Sequence, residues 1–139
     1  MPQLFRLIMH ARKKNPHVEY RLLQHQRINN SSSLAQKFPR LKTLSVDLNY
    51  FDSTGLNRNG GMRHQFNLEH AKSLFYFNCP NGECVGGDFD LTEALARAVA
   101  EELKTVTGEA RCGGLRHNKE RKERVPCQNL LRYTLKLGY

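Results

Sequence analysis

Four cysteines are the residues of this chain best suited to chemistry, and their spacing decides what chemistry that is. Cys79 and Cys84 are separated by four residues, Cys112 follows after a further 27, and Cys127 after another 14. Four thiolates are the full ligand set of a closed tetrahedral zinc site. Each cysteine is expected at a strand end or beside a turn: Pro80, Asn81 and Gly82 lie between the first two, and Gly113 and Gly114 follow the third. Converging thiolates need turns that a Cβ would obstruct, and nearby backbone N–H groups offset their negative charge. The pattern therefore predicts Cys79, Cys84, Cys112 and Cys127 as ligands of a structural zinc, whose binding would contribute on the order of 10 kcal/mol to folding.

The first pair is CxxxxC rather than the CxxC of common structural sites, so other uses stay open. They are two disulfides, buried free thiols, a Cys79–Cys84 redox pair and an iron–sulfur cluster. Disulfides call for an oxidising compartment, and no secretory signal is readable: Arg6 interrupts the apolar stretch Leu4 to Met9 and no small-residue cleavage site follows. A cytoplasmic setting is expected.

Catalytic templates fit poorly. A catalytic zinc keeps three protein ligands and an open position, usually with His among them. His64 and His70 lie six apart, no HExxH occurs, and Pro126-Cys127 is not followed by the spacing of the deaminase signature. There is no GxxxxGK, no GxGxxG after a strand and no GxSxG. Glu83 reads as an exposed turn carboxylate and His64 as a hydrogen-bonded core residue. The chain leans away from being an enzyme.

The segment between the last two cysteines is the second informative feature. Residues 113–126 hold five Lys or Arg, two Glu and almost no apolar side chains, so they project into water. Pinned at both ends on one metal, they would form a basic finger in which Arg116, Lys119, Arg121, Lys122 and Arg124 contact phosphates. Net charge supports a polyanionic partner: +9 over 139 residues, distributed as +8 in residues 1–45, −5 in 46–110 and +6 in 111–139. Phe75, Tyr76 and Phe77 are candidate base-stacking residues, although such a run is more often buried.

The elements that must position these groups follow from periodicity. Leu44, Val46, Leu48 and Tyr50 alternate with polar residues, as do Met62, His64, Phe66 and Leu68, and then Leu131, Tyr133, Leu135 and Leu137. These are half-buried strands, and Leu74 to Phe77 is expected to be a strand covered on both sides. One amphipathic helix is expected over about 91–106, with Asp90 as N-cap and Gly108 as C-cap. The polar run Asn29 to Ser33 and Pro39 mark a linker. This gives a basic, partly flexible N-terminal arm and linker over 1–40, and a zinc-stabilised domain over 41–139. No apolar run approaches the roughly 20 residues of a bilayer span.

The expected architecture is α+β: a mainly antiparallel sheet of about 4–5 strands, one helix on a face, and a four-cysteine metal site. A metal knuckle followed by a helix resembles zinc-ribbon and treble-clef modules in general architecture, and the long insert between Cys84 and Cys112 departs from a compact ribbon. The expected function is a zinc-stabilised nucleic-acid or ribonucleoprotein-associated binding module. The alternatives are a protein-interaction adaptor and, behind it, a thiol- or metal-dependent enzyme.

Overall fold

The computed structural model describes residues 16–52, 54–57, 61–81, 84–118 and 123–139. In chain order the elements are α1 (Pro16–Asn30), α2 (Leu34–Lys37), β1 (Thr43–Phe51), β2 (Met62–Gln65), β3 (Tyr76–Asn78) and β4 (Asp88–Asp90). They continue with α3 (Thr92–Ala100), β5 (Thr105–Arg111), β6 (Leu115–Asn118), β7 (Glu123–Pro126) and β8 (Leu130–Gly138). The amphipathic stretch Leu4 to Met9, Glu83 and the finger residues Lys119, Arg121 and Lys122 lie outside the described residues.

Alternation builds the main sheet. β1 and β8 pair antiparallel from Thr43↔Gly138 to Phe51↔Leu130, which places Leu44, Val46, Leu48 and Tyr50 opposite Leu137, Leu135, Tyr133 and Leu131 on one buried face. β2 joins the outer side of β1 and β5 the outer side of β8, for the order β2-β1-β8-β5. α3 covers the buried face through Leu95 and Ala98, which share one continuous core with Leu34, Leu41, Phe89 and all four cysteines. The α+β architecture with an antiparallel sheet is as expected. Among the described residues no helix is long and apolar enough to cross a membrane.

The expected helix over 91–106 is really a helix, a turn and a strand. α3 stops at Ala100; Glu102 has φ 52°, and the Leu103 N–H reaches back to the Ala98 carbonyl at 2.9 Å. The β-branched run Thr105, Val106, Thr107 favours extended backbone, and Val106 faces Leu135 as an edge residue of the sheet. Gly108 is therefore not a C-cap. It lies opposite Tyr133, whose hydroxyl oxygen would stand 2.4 Å from an added Cβ. At the other end Leu91, not Asp90, occupies the N-cap position; the Asp90 carboxylate, one residue earlier, accepts the Thr92 N–H at 2.9 Å, while the Thr92 hydroxyl accepts the Phe75 N–H at 2.9 Å.

Two other strands differ from expectation. β2 ends at Gln65, and Phe66 and Leu68 turn inward to pack on the core. The Leu74 to Phe77 segment is no central strand: β3 pairs only with β4, in a ribbon of two short strands. Phe75 is buried and meets Phe66 and Phe77 edge-on with centroids 5.1 Å apart in each case. Phe75 and Phe77 are thus used in packing, which explains the apolar run without base stacking. His64 is half-buried at the edge, 6.3 Å from the Phe66 ring and 6.5 Å from Phe77.

Pro16 opens α1 at the helical position where a missing N–H costs nothing. After it, Ser33 caps α2 in a reciprocal capping box with Gln36, and Leu34 is fully buried. The neighbouring serines are also bonded: Ser31 donates to the Ile28 carbonyl at 2.6 Å, and Ser32 shares a bond of 3.1 Å with the buried Ser73.

Candidate metal centre

Two short ribbons carry the cysteines to one point. Cys79 follows β3 and Cys84 precedes β4, while Cys112 follows β5 and Cys127 follows β7. Backbone bonds lock these turns in pairs. The Cys79 N–H donates to the Gly87 carbonyl (3.1 Å), Cys84 to Asn81 (3.1 Å), Cys112 to Asn129 (2.9 Å) and Cys127 to Gly114 (3.0 Å). A reciprocal bridge between Val85 and Leu115, at 2.7 and 2.9 Å, joins the first knuckle to the base of β6.

The four sulfurs lie within 4.8 Å of one another. Cys79 and Cys127 are 3.8 Å apart and Cys84 and Cys112 3.4 Å. Four sulfurs at the usual zinc–sulfur distance stand about 3.8 Å apart along the edges of a tetrahedron, so the cage has the dimensions of a single-ion site. All four residues are buried and free of disulfides. Among the described residues this is the one group of side chains placed to hold a metal.

Donors surround the sulfurs. The Gly114 N–H points at Cys112 Sγ (3.3 Å), the buried Asn129 amide at Cys79 Sγ (3.5 Å), and the Asn81 amide at Cys127 Sγ (3.9 Å). Such contacts offset thiolate charge and set ligand orientation. Sequence reasoning anticipated the glycine turns and missed the two amides; the position of Asn129 two residues after Cys127 was the available signal.

Glycine is required here by crowding. A Cβ on Gly87 would stand 2.1 Å from Cys84 Sγ and 2.9 Å from Cys112 Sγ, and one on Gly114 would stand 2.4 Å from Cys84 Sγ. Gly113, next door, has nothing within 4 Å. The backbone at these two glycines therefore packs directly against the sulfurs, and all four cysteines are buried.

Thiols packed so tightly cannot all ionise without a cation among them. Hydrogen bonding from Cys112 lowers the Cys79 thiol to about 5 against the opposing effect of burial. Burial raises Cys84 to about 12, and Cys112 is pushed up by its hydrogen bond to Cys79 and by burial. One thiolate is thus stabilised by protonated neighbours, and a dication is what would let the others follow.

The expected finger is a hairpin rooted on this centre. β6 and β7 pair from Leu115↔Pro126 to Asn118↔Glu123. Arg116 is half-buried opposite Val125, and Arg124 is exposed opposite His117. α1 reaches the same region from the other side. The Tyr20 hydroxyl and the buried Gln24 amide both donate to Asp88 Oδ2, at 3.0 and 2.9 Å, and the Tyr20 ring lies against Gly86. No periodicity announced that docking.

No protein-family model, no curated protein and no solved structure matches this chain.

Proposed function

We propose that this protein is a small zinc-stabilised nucleic-acid or ribonucleoprotein-associated binding module, in which the metal is structural and the hairpin is the phosphate-contacting element. The observation that carries the reading is the closed cage of four buried sulfurs at the base of a basic hairpin. Zinc suits it because it takes four thiolates tetrahedrally and needs no redox partner. A multi-iron cluster is too large, since its own irons and sulfides stand between the thiolates, whereas these sulfurs lie within 4.8 Å of each other. With all four positions taken by protein, the metal has none left for substrate water, which argues against metal-centred catalysis.

Arg116 and Arg124 supply positive charge on a short ribbon whose base is hydrogen-bonded to the cysteine turns, and Lys119, Arg121 and Lys122, between its two strands in sequence, add to that charge. Phosphate contacts of this kind set position without reading sequence. A second reading, a protein-interaction adaptor, is favoured by Leu22 and Leu23, adjacent on α1 and each 53% exposed.

Two measurements test the proposal. Metal analysis of protein purified without added metal should find one zinc per chain, and thiol reactivity should rise after chelation. Binding of unspecific RNA should weaken steeply with salt, and changing the five basic residues to Gln should lower the log–log salt slope by several units. An absence of binding at low salt rejects the nucleic-acid reading; salt-insensitive binding to a protein, lost on Leu22→Ser, supports the adaptor.

A further inference from the structure

The outer face of the main sheet has one apolar corner. Along β1 and β8 this face carries Thr43, Ser45, Asp47 and Asn49 beside Arg132, Thr134 and Lys136. At the end nearest the cysteines the cross-strand row becomes Phe51–Leu130–Arg111. Phe51 and Leu130 are half-buried on the side away from the core. Together with Gly55, Gln128, Arg111 and Arg132 they line an open cleft of about 290 Å³, close to the lower bound of small-molecule sites.

The cations at this cleft divide the work. The Arg132 guanidinium lies over the Phe51 ring, 4.9 Å from its centroid, and its Nε donates to Glu109 at 2.8 Å, so ring and cation form a tethered cation–π pair. Arg111 is exposed and, among the described residues, makes no ion pair. Gln128 is held at φ 59°, a conformation that side chains other than Gly, Asn and Asp seldom adopt, and it brings an exposed amide to the cleft wall. Asp52, at the rim, is already committed to the Thr54 and Leu56 N–H groups at 2.9 and 3.1 Å. An aromatic ring under a guanidinium, a second guanidinium with no ion pair among the described residues, and an amide are the parts that hold a base and its phosphate.

We infer that this corner of the sheet is a base-stacking subsite for single-stranded nucleic acid: a base lies on the Phe51–Arg132 pair and its phosphate on Arg111. The inference rests on the nucleic-acid reading above and extends it from charge to a defined contact. The cysteine centre fixes both walls, since Arg111 precedes Cys112 and Gln128 follows Cys127. The hairpin and the cleft therefore share one anchor, the first gripping backbone and the second a base.

The test uses the full chain with its metal and a fluorescein-labelled oligouridylate, titrated at several salt concentrations. Phe51→Leu keeps an apolar floor and removes the ring; it should weaken binding about tenfold with the salt slope unchanged. Phe51→Trp should restore binding. Arg111→Gln should weaken binding and lower the slope by about one. Wild-type binding in Phe51→Leu and Arg111→Gln, with binding lost in the five-residue hairpin variant, overturns this inference and leaves the proposed function standing. If the unmodified protein fails to bind the oligonucleotide at low salt, both fall. Equal metal content in every variant separates a lost contact from a lost fold.

Discussion

The two ends of the molecule are held together by different physics. In the sheet, β1 and β8 pair along their whole length and bury a continuous stripe of Leu, Val and Tyr. At the cysteine end the ribbons have strands of three and four residues, too short to stand alone in water. Where the two ribbons meet, sulfur packs against glycine, and Phe89 of β4, 5.6 Å from the Tyr50 ring, is the buried side chain that joins them to the core of the sheet. One end coheres by removing apolar surface from water, the other by convergence on a point. A hydrophobic interior tolerates small losses by partial collapse, whereas a cage of this size has no slack.

Removing the proposed metal is the strongest way to break that contrast. Chelation, or Cys127→Ser, should abolish a contribution on the order of 10 kcal/mol. In hydrogen exchange, the amides of β3, β4, β6 and β7 should lose protection while those of Val46 and Leu135 keep theirs; simultaneous loss everywhere would show one cooperative unit. Leu135→Ala is the mirror experiment, expected to cost about 2–5 kcal/mol while metal stoichiometry stays unchanged.

A smaller effect sharpens the comparison within the cage. Gly87→Ala forces a methyl group against Cys84 Sγ and should cost at least about 1–3 kcal/mol, read as weaker metal binding in competition with a chelator. Gly113→Ala, one residue from an equally crowded glycine and facing open space, should leave metal affinity unchanged.

The smallest effect concerns the docking of α1. Burial raises the Asp88 carboxyl above its ordinary value, opposed by the Tyr20 and Gln24 hydrogen bonds. A folded-state value above the unfolded one means that this group's contribution is fully present at low pH and declines as pH rises through the raised value. Asp88→Asn keeps an acceptor for both donors and removes the titration. The stability difference between the parent and this variant, measured at matched pH and metal, should therefore shift in the variant's favour from acid towards neutral pH. A constant difference would mean that Asp88 does not sense its burial.

Much of the sheet was legible because a period of two leaves few alternatives: Leu44 to Tyr50 and Leu131 to Leu137 each present one apolar face. The region after Ala100 was not. Leu103 and Val106 fall on the same helical face as Leu95 and Val99, so the pattern continues smoothly through a reversal of the chain. The β-branched run at 105–107 was the contrary signal. At the candidate site, the type and number of the converging side chains were readable from the cysteines alone, and so was the need for glycine after Cys112. The Asn81 and Asn129 amides and the Tyr20–Asp88 contact arise from tertiary placement, which leaves no local pattern. The polar run before α2 has the composition of a linker, yet Ser33 there caps a helix and Leu34 is core.

The position of β8 between β1 and β5 has a consequence for synthesis. A ribosome releases the apolar face of β1 well before β8, which supplies its longest pairing, and β5 must also wait for that strand. Until then, Leu44 to Tyr50 would remain partly open to other chains, the condition under which nascent proteins stick together or engage chaperones. Emergence of the last strand then becomes the event that joins both edges of the sheet.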